Sequence, residues 1–191
     1  MSGPSTNGPD GMARWIQTFV AAQAAELDAA RNTQLAYARD LTDFASWLTD
    51  KGLHFATATQ DDVTGYLIDC DNQGLSRATR ARRLSSIRQL YRFAFEECWR
   101  ADNPAIQIKG PGKSKSLPKT LTIDEVGRLL QAARDCAVDA GKNTCLMELL
   151  YATGMRVTEL VSLPVSAARG DPRMLLVRGK GGKERLVPLS P

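Results

Sequence analysis

Between residues 13 and 98 the apolar positions recur every three to four residues in four blocks, the spacing of amphipathic helices. Ile16, Phe19, Val20 and Leu27 line one side of the first, and Tyr37, Leu41, Phe44 and Leu48 line the second. For the second helix Asn32 is the expected N-cap and Gly52 the stop. The third carries Val63, Tyr66, Leu67 and Cys70 behind Asp61 and Asp62, which suit the positive end of a helix, and it closes at Gly74. The fourth opens after Ser76 and offers Leu84, Ile87, Leu90, Tyr91 and Ala94 to a core. Four such helices bury a common core without strands, so residues 13–104 predict a helical domain behind a disordered Ser/Gly/Pro-rich tail at 1–12.

The periodicity lapses over 105–117, where Gly, Pro, Lys and Ser dominate, and this stretch is expected to be an exposed basic linker. Thr122 and Glu125 then form a capping box that opens a helix with Val126, Leu129, Leu130 and Ala133 on one face. A further helix is expected over roughly 142–152, stopped by Gly154, and a short one from about Arg156 to Leu163, closed by Pro164. Residues 174–178 and 185–189 read as the strands of a β-hairpin with the tip Gly179-Lys-Gly-Gly-Lys183. The expected fold class is mainly α: a four-helix domain, then an α+β region of helices and a hairpin over 118–191.

With 43% hydrophobic and 24% charged residues the chain is neither collagen-like nor wholly disordered. No run of about 18 apolar residues marks a membrane span, and the N-terminus lacks the apolar stretch of a signal peptide. Cys70, Cys98, Cys136 and Cys145 stand far apart beside a single histidine, so no Cys/His metal site is expected; the thiols are expected to be buried and reduced, as in a cytosolic protein. His54 beside Gly52 is expected to be a surface or packing residue. Gly112-Lys113-Ser114 is not a phosphate loop, because the first glycine of that motif would fall at Gln107.

Charge is unevenly distributed. Residues 1–104 hold 11 Lys/Arg against 13 Asp/Glu, and residues 105–191 hold 14 against 8. Within the acidic half, Arg77, Arg80, Arg82, Arg83, Arg88 and Arg92 follow one another with no acid among them. On a helix Ser85, Arg88, Gln89 and Arg92 share one face, which Arg77 begins and Arg82 borders. Arginine and glutamine hydrogen-bond phosphates and base edges, so duplex DNA is the expected partner and an acidic protein surface the alternative.

The stretch Leu149-Leu-Tyr-Ala-Thr-Gly-Met-Arg-Val-Thr-Glu-Leu160 is followed by Val177-Arg-Gly-Lys-Gly-Gly-Lys-Glu-Arg-Leu-Val-Pro-Leu189, with 24 residues from Arg156 to Lys180. These blocks closely resemble the tyrosine recombinase (phage integrase) family, and within it the Xer branch. Weaker similarities lie at Asn32 to Leu41, at Arg82 to Ser86 and at Leu117-Pro-Lys. The resemblance implies a SAM-like core-binding domain that clamps one face of a duplex and a catalytic domain that closes over the other. It also implies strand exchange through a 3′-phosphotyrosyl intermediate, with neither metal nor nucleotide as cofactor. For the Xer branch it further implies chromosome dimer resolution at a dif-like site, with a XerC-like partner recombinase and an FtsK-like translocase, in the bacterial cytoplasm at the nucleoid.

By the same resemblance Arg156 is the first active-site arginine, a planar group able to grip two oxygens of a phosphodiester as charge builds on them. Glu159 is the family's acidic position, which would orient that arginine. Spacing alone does not separate Lys180 from Lys183; the resemblance assigns Lys180 as the general acid that protonates the departing 5′-oxygen. Lys183 and Arg185 are left as phosphate contacts or solvated residues. The family's His-x-x-Arg block, its later His or Trp, and its C-terminal tyrosine have no counterpart here: the one histidine is His54, and Tyr37, Tyr66, Tyr91 and Tyr151 all precede Arg156. The expectation is therefore a fragment whose catalytic domain is incomplete, which binds DNA without cleaving it. The alternatives are an integrase of a phage or mobile element, a non-catalytic DNA-binding protein, and a helical protein-interaction module.

Overall fold

Among the described residues, the helical pattern is realised as seven α-helices, and the two strand-like segments pair with each other. The computed structural model describes residues 9–26, 31–112, 120–169, 173–179 and 182–189. The chain divides into two compact units, Met1–Ser116 and Leu117–Pro191. No helix among the described residues is long and apolar enough to cross a membrane.

The first unit holds α1 (Pro9–Glu26), α2 (Arg31–Asp50), α3 (Gln60–Asn72) and α4 (Arg77–Glu96). Their apolar stripes converge on a core in which Trp15, Phe19, Leu41, Phe44, Leu48, Phe55, Val63, Leu84, Ile87, Leu90 and Tyr91 are all sealed from solvent. The ends are set by local chemistry. Thr59 and Asp62 form a reciprocal capping box at the start of α3, and the Ser76 hydroxyl accepts the Thr79 N–H at the start of α4. Gly52 and Gly74 sit at φ +69° and +76° just past α2 and α3, where a left-handed residue lets the chain turn back onto the last carbonyls.

Four expectations change. The first helix begins at Pro9, not at 13, because proline's fixed φ suits the first helical position and Met12 is buried in the core. Asn32 lies inside α2 instead of capping it, since Arg31 is already helical and adding one residue to a long packed helix costs little. The expected linker starts too early: Ala105 and Ile108 are buried against the first unit, and Arg88 donates to the carbonyls of both. Only Cys70 of the four thiols is buried, because Cys98, Cys136 and Cys145 fall on outward positions. Leu27 and the end of the linker at 113–117 lie outside the described residues.

The second unit holds α5 (Ile123–Arg134), α6 (Ala140–Thr153), α7 (Val157–Val161), a 3-10 turn at Val165–Arg169, and the strands β1 (Met174–Arg178) and β2 (Glu184–Pro188). The strands run antiparallel with Leu175 opposite Val187 and Val177 opposite Arg185. Strand alternation buries Leu175, Val177 and Val187 and exposes Leu176 and Leu186. Met155 and Leu160 complete this small core, and Leu146, Leu149, Leu150, Leu163 and Leu189 pack partly against it. α5 has its capping box but no buried side chain.

Candidate active site

α7 is five residues long and is stabilised less by its own hydrogen bonds than by what it packs and caps. Gly154 ends α6 in the left-handed conformation at φ +61°, Met155 drops into the core, and Arg156 leads into α7. The Arg156 backbone N–H donates to Glu159 Oε2 at 2.9 Å, half of a capping box, so the start of α7 fixes the glutamate's orientation. Leu160 on the following position is buried and anchors the turn.

Glu159 is the hub of the site. Its side chain is only 5% exposed, while the Arg156 side chain above it is 71% exposed. Arg156 Nη1 donates to Oε1 at 2.9 Å. From β2, Arg185 grips the same carboxylate with both terminal nitrogens, Nη1 to Oε1 at 3.1 Å and Nη2 to Oε2 at 2.7 Å. Four N–H groups thus fill the four lone-pair positions of one carboxylate. This is more than a solvated i,i+3 surface pair, because a buried charge must be met by donors on every side.

The Arg185 fork, together with the Arg156 N–H and guanidinium, holds the Glu159 carboxyl down to about 2, against burial, which pushes it up. The sign follows from the depressed value. The contacts are complete above the ordinary carboxylate range and are lost as pH falls through about 2. Glu159 should therefore stay ionised at pH 3.5, where an ordinary glutamate is mostly protonated; a carbon-detected NMR titration of its carboxyl checks this.

β1 hands the chain to the hairpin tip at Gly179, whose N–H donates to the Lys183 carbonyl at 2.7 Å. A β-carbon on Gly179 would stand 3.2 Å from Arg185 Nη1 and 3.3 Å from Glu159 Oε1. The glycine thus lets the hairpin backbone approach the ion-pair cluster. Lys180, next in the chain, lies outside the described residues. Lys183 is exposed, and Arg178 is paired with Glu184 across the hairpin. A cleft of about 600 Å³ opens beside Glu159, lined by Ser162, Leu163, Leu176, Gly179 and Gly182 among others.

In the first unit, the arginines of α4 fall into two sets. The run has no acid of its own, but α2 and α3 supply them. Arg82 pairs with the buried Asp40, whose Oδ2 also accepts the Ser86 hydroxyl, Arg83 pairs with Asp43, and Arg80 with Asp71. Arg88 is spent on the carbonyls of Ala105 and Ile108. Arg77 has no ion pair among the described residues, Arg92 meets only the exposed Glu96, and Ser85 faces solvent. Gln89 is half-buried on the rim of a cleft with Arg88, Arg92, Phe95 and Ile106. Asp71 lies only nine residues before Arg80, but Asp40 and Asp43 stand about 40 residues from their arginines and leave no local signal in the sequence of α4.

Comparison with known proteins bears on both units. Residues 16–98 match the family model described as the phage integrase N-terminal SAM-like domain, and residues 119–191 match the phage integrase family itself. The chain belongs to the tyrosine recombinase (phage integrase) family. It is 48% identical over 182 residues to tyrosine recombinase XerD of Bradyrhizobium diazoefficiens, covering 90% of this chain and 57% of that protein. With XerD of Rhizobium meliloti the identity is 44% over 188 residues, covering 95% and 60%. The chain thus spans less than two thirds of the length of these relatives. Among solved structures, a lambda integrase dimer bound to a COC′ core site aligns with a TM-score of 0.73 at 23% identity, covering 92% of this chain and 47% of that one. The XerH recombinase bound to difH aligns at 0.69 and 17%, covering all of this chain and 66% of that one. These two likenesses establish a shared recombinase fold, with mostly helical units and a small sheet.

Proposed function

We propose that this chain is the DNA-engaging part of a site-specific recombinase of the XerD type, carrying the first half of its active site. The observation that carries this reading is the exposed Arg156 guanidinium held over a buried, fully hydrogen-bonded Glu159 on α7. A planar cation fixed from below and open above suits two non-bridging oxygens of a phosphodiester. Lys180, on the hairpin beside Gly179, would donate the proton to the departing 5′-oxygen, while α4 supplies backbone contacts to the duplex. By its resemblance to the Xer branch, the whole protein would resolve chromosome dimers at a dif-like site, in the bacterial cytoplasm with a XerC-like partner recombinase and an FtsK-like translocase.

In this reading a tyrosine hydroxyl gives up its proton to solvent as its oxygen bonds to the phosphorus, the bond to the 5′-oxygen breaks as that oxygen takes the proton from Lys180, and the phosphotyrosyl bond conserves the energy for rejoining. No tyrosine of these 191 residues suits that step. Tyr66 and Tyr91 are buried in the first unit, where burial pushes both hydroxyls up and keeps them protonated. Tyr37 packs on Phe19, and Tyr151 precedes Arg156 on α6. Incubated with a nicked suicide duplex that traps cleavage, the 191-residue chain should give a band shift but no covalent adduct on denaturing gels. An adduct would show that one of the four tyrosines is competent, and absence of any shift would remove the DNA-binding reading.

A further inference from the structure

From the geometry of the second unit we infer that Arg185 is a positioning residue for Arg156: it neutralises Glu159 from the hairpin side and thereby leaves the Arg156 guanidinium open for a phosphate. The inference rests on the recombinase reading above for the identity of the phosphate, and on the ion-pair geometry alone for the coupling between the two arginines.

The cluster contains two arginines and one glutamate, so its charge depends on how the carboxylate is shared. Arg185 takes the bidentate position, with both terminal nitrogens on Glu159, and its side chain is 41% exposed. Arg156 reaches Glu159 with one terminal nitrogen only, and its remaining N–H groups have no partner among the described residues. The bidentate fork is the stronger arrangement and neutralises most of the carboxylate charge. Without Arg185, Glu159 would be a buried anion with one cation within reach. Arg156 would then rotate to take both oxygens itself, losing the outward fork and much of its attraction for phosphate.

The same contact joins two elements that no other ion pair among the described residues connects. Arg185 lies on β2 and Glu159 on α7, and Gly179 admits the contact by approaching both side chains. Chain connectivity puts Lys180 directly after Gly179, so the bridge also fixes the base of the segment that carries the lysine relative to the helix that carries the arginine. Two further cations of the hairpin are directed elsewhere: Arg178 is held by Glu184 across the strands, and Lys183 presents its carbonyl inward to Gly179 and its side chain to solvent.

The test is a mutant cycle in the 191-residue chain, using Arg185→Ala, Arg185→Lys, Glu159→Gln, the Arg185→Ala/Glu159→Gln double variant, and each of these combined with Arg156→Ala. Two readouts are taken: affinity for a duplex at low salt, and the rotation rate of the Arg156 guanidinium by NMR in the free protein. In the parent background Arg156→Ala should weaken duplex binding by about tenfold. In the Arg185→Ala background the same substitution should cost less than about twofold, and the Arg156 guanidinium should rotate more slowly because it is clamped on Glu159. Adding Glu159→Gln to Arg185→Ala should restore both the tenfold dependence and the fast rotation. That rescue distinguishes positioning from a phosphate contact made by Arg185 itself, which Glu159→Gln would not rescue. Arg185→Lys, which keeps the charge but not the fork, should fall between and guards against an unfolded alanine variant. Unchanged Arg156 rotation in Arg185→Ala, or a loss of binding that Glu159→Gln does not restore, would overturn the inference. If no variant and not even the parent binds duplex, the recombinase reading fails, and the NMR arm still decides the role of Arg185.

Discussion

Phe44→Ala should destabilise the first unit by about 3–5 kcal/mol, a large share of the roughly 5–15 kcal/mol that holds a domain of this size together. Phe44 is sealed from solvent between α2 and α3, with ring centroids 4.8 Å from Tyr66, 5.8 Å from Phe55 and 6.4 Å from Trp47. Truncation removes the ring's transfer free energy and leaves a cavity walled by three other aromatic groups, which cannot collapse inward without leaving their own rotamers. Tyr66 is further fixed because its hydroxyl donates to Asp43 and accepts from Arg83, so it cannot slide into the void. Urea unfolding followed by tryptophan fluorescence, with Trp15, Trp47 and Trp99 all in this unit, should show the midpoint lowered by about 2 M. The matching control is Leu129→Ala on α5, where the residue is 42% exposed; because the second unit has no tryptophan its unfolding is followed by far-UV circular dichroism, and its cost should stay within about 0.5 kcal/mol. A Phe44→Ala loss no larger than that of Leu129→Ala would mean that the aromatic cluster does not form.

Phe44 and Leu129 occupy equivalent places in their helical patterns, and sequence periodicity treats them alike. It identifies the face of a helix that seeks an apolar partner, and for α1 to α4 the four faces find one another, so the predicted core residues Leu41, Phe44, Leu48, Leu84 and Leu90 are the observed ones. For α5 the same pattern is present, yet Val126, Leu130 and Ala133 are only half-buried and Leu129 is exposed, because burial depends on a partner that the pattern of one helix does not encode. Charge shows the same division. Arg156 and Glu159 are three residues apart, so their pairing is legible locally; Arg185 is 26 residues beyond Glu159, and strand pairing brings it there. The arginine run of α4 looks unopposed in sequence, yet Asp40 and Asp43, on a different helix, neutralise two of its members. Local motifs carry identity well because they record chemistry at fixed spacing. The apportioning of each cation between folding and ligand is a tertiary property.

That apportioning yields the second large effect. Arg77→Ala with Arg92→Ala should weaken duplex binding by about 10- to 100-fold at 0.1 M salt and lower the slope of log K against log salt by about 1.8, or 0.9 for each phosphate that is no longer neutralised. Both groups lie on one face of α4, fifteen residues and so about 22 Å apart along its axis, with Arg77 unpaired among the described residues and Arg92 held only by the exposed Glu96. A solvated i,i+4 pair contributes only a few tenths of a kcal/mol, so Arg92 can exchange Glu96 for a phosphate at little cost. Arg88, between them on the same face, should behave differently. Its nitrogens serve the carbonyls of Ala105 and Ile108, in the segment that closes the first unit. Arg88→Ala should therefore lower stability by about 1–3 kcal/mol and leave the salt slope of the folded protein unchanged. Fluorescence anisotropy across a salt series, with thermal melts of the same samples, separates the two behaviours. If Arg88→Ala flattens the slope as much as a single change at Arg77 or Arg92 and leaves the melt unaltered, its guanidinium belongs to the duplex, and the carbonyls of Ala105 and Ile108 do not depend on it.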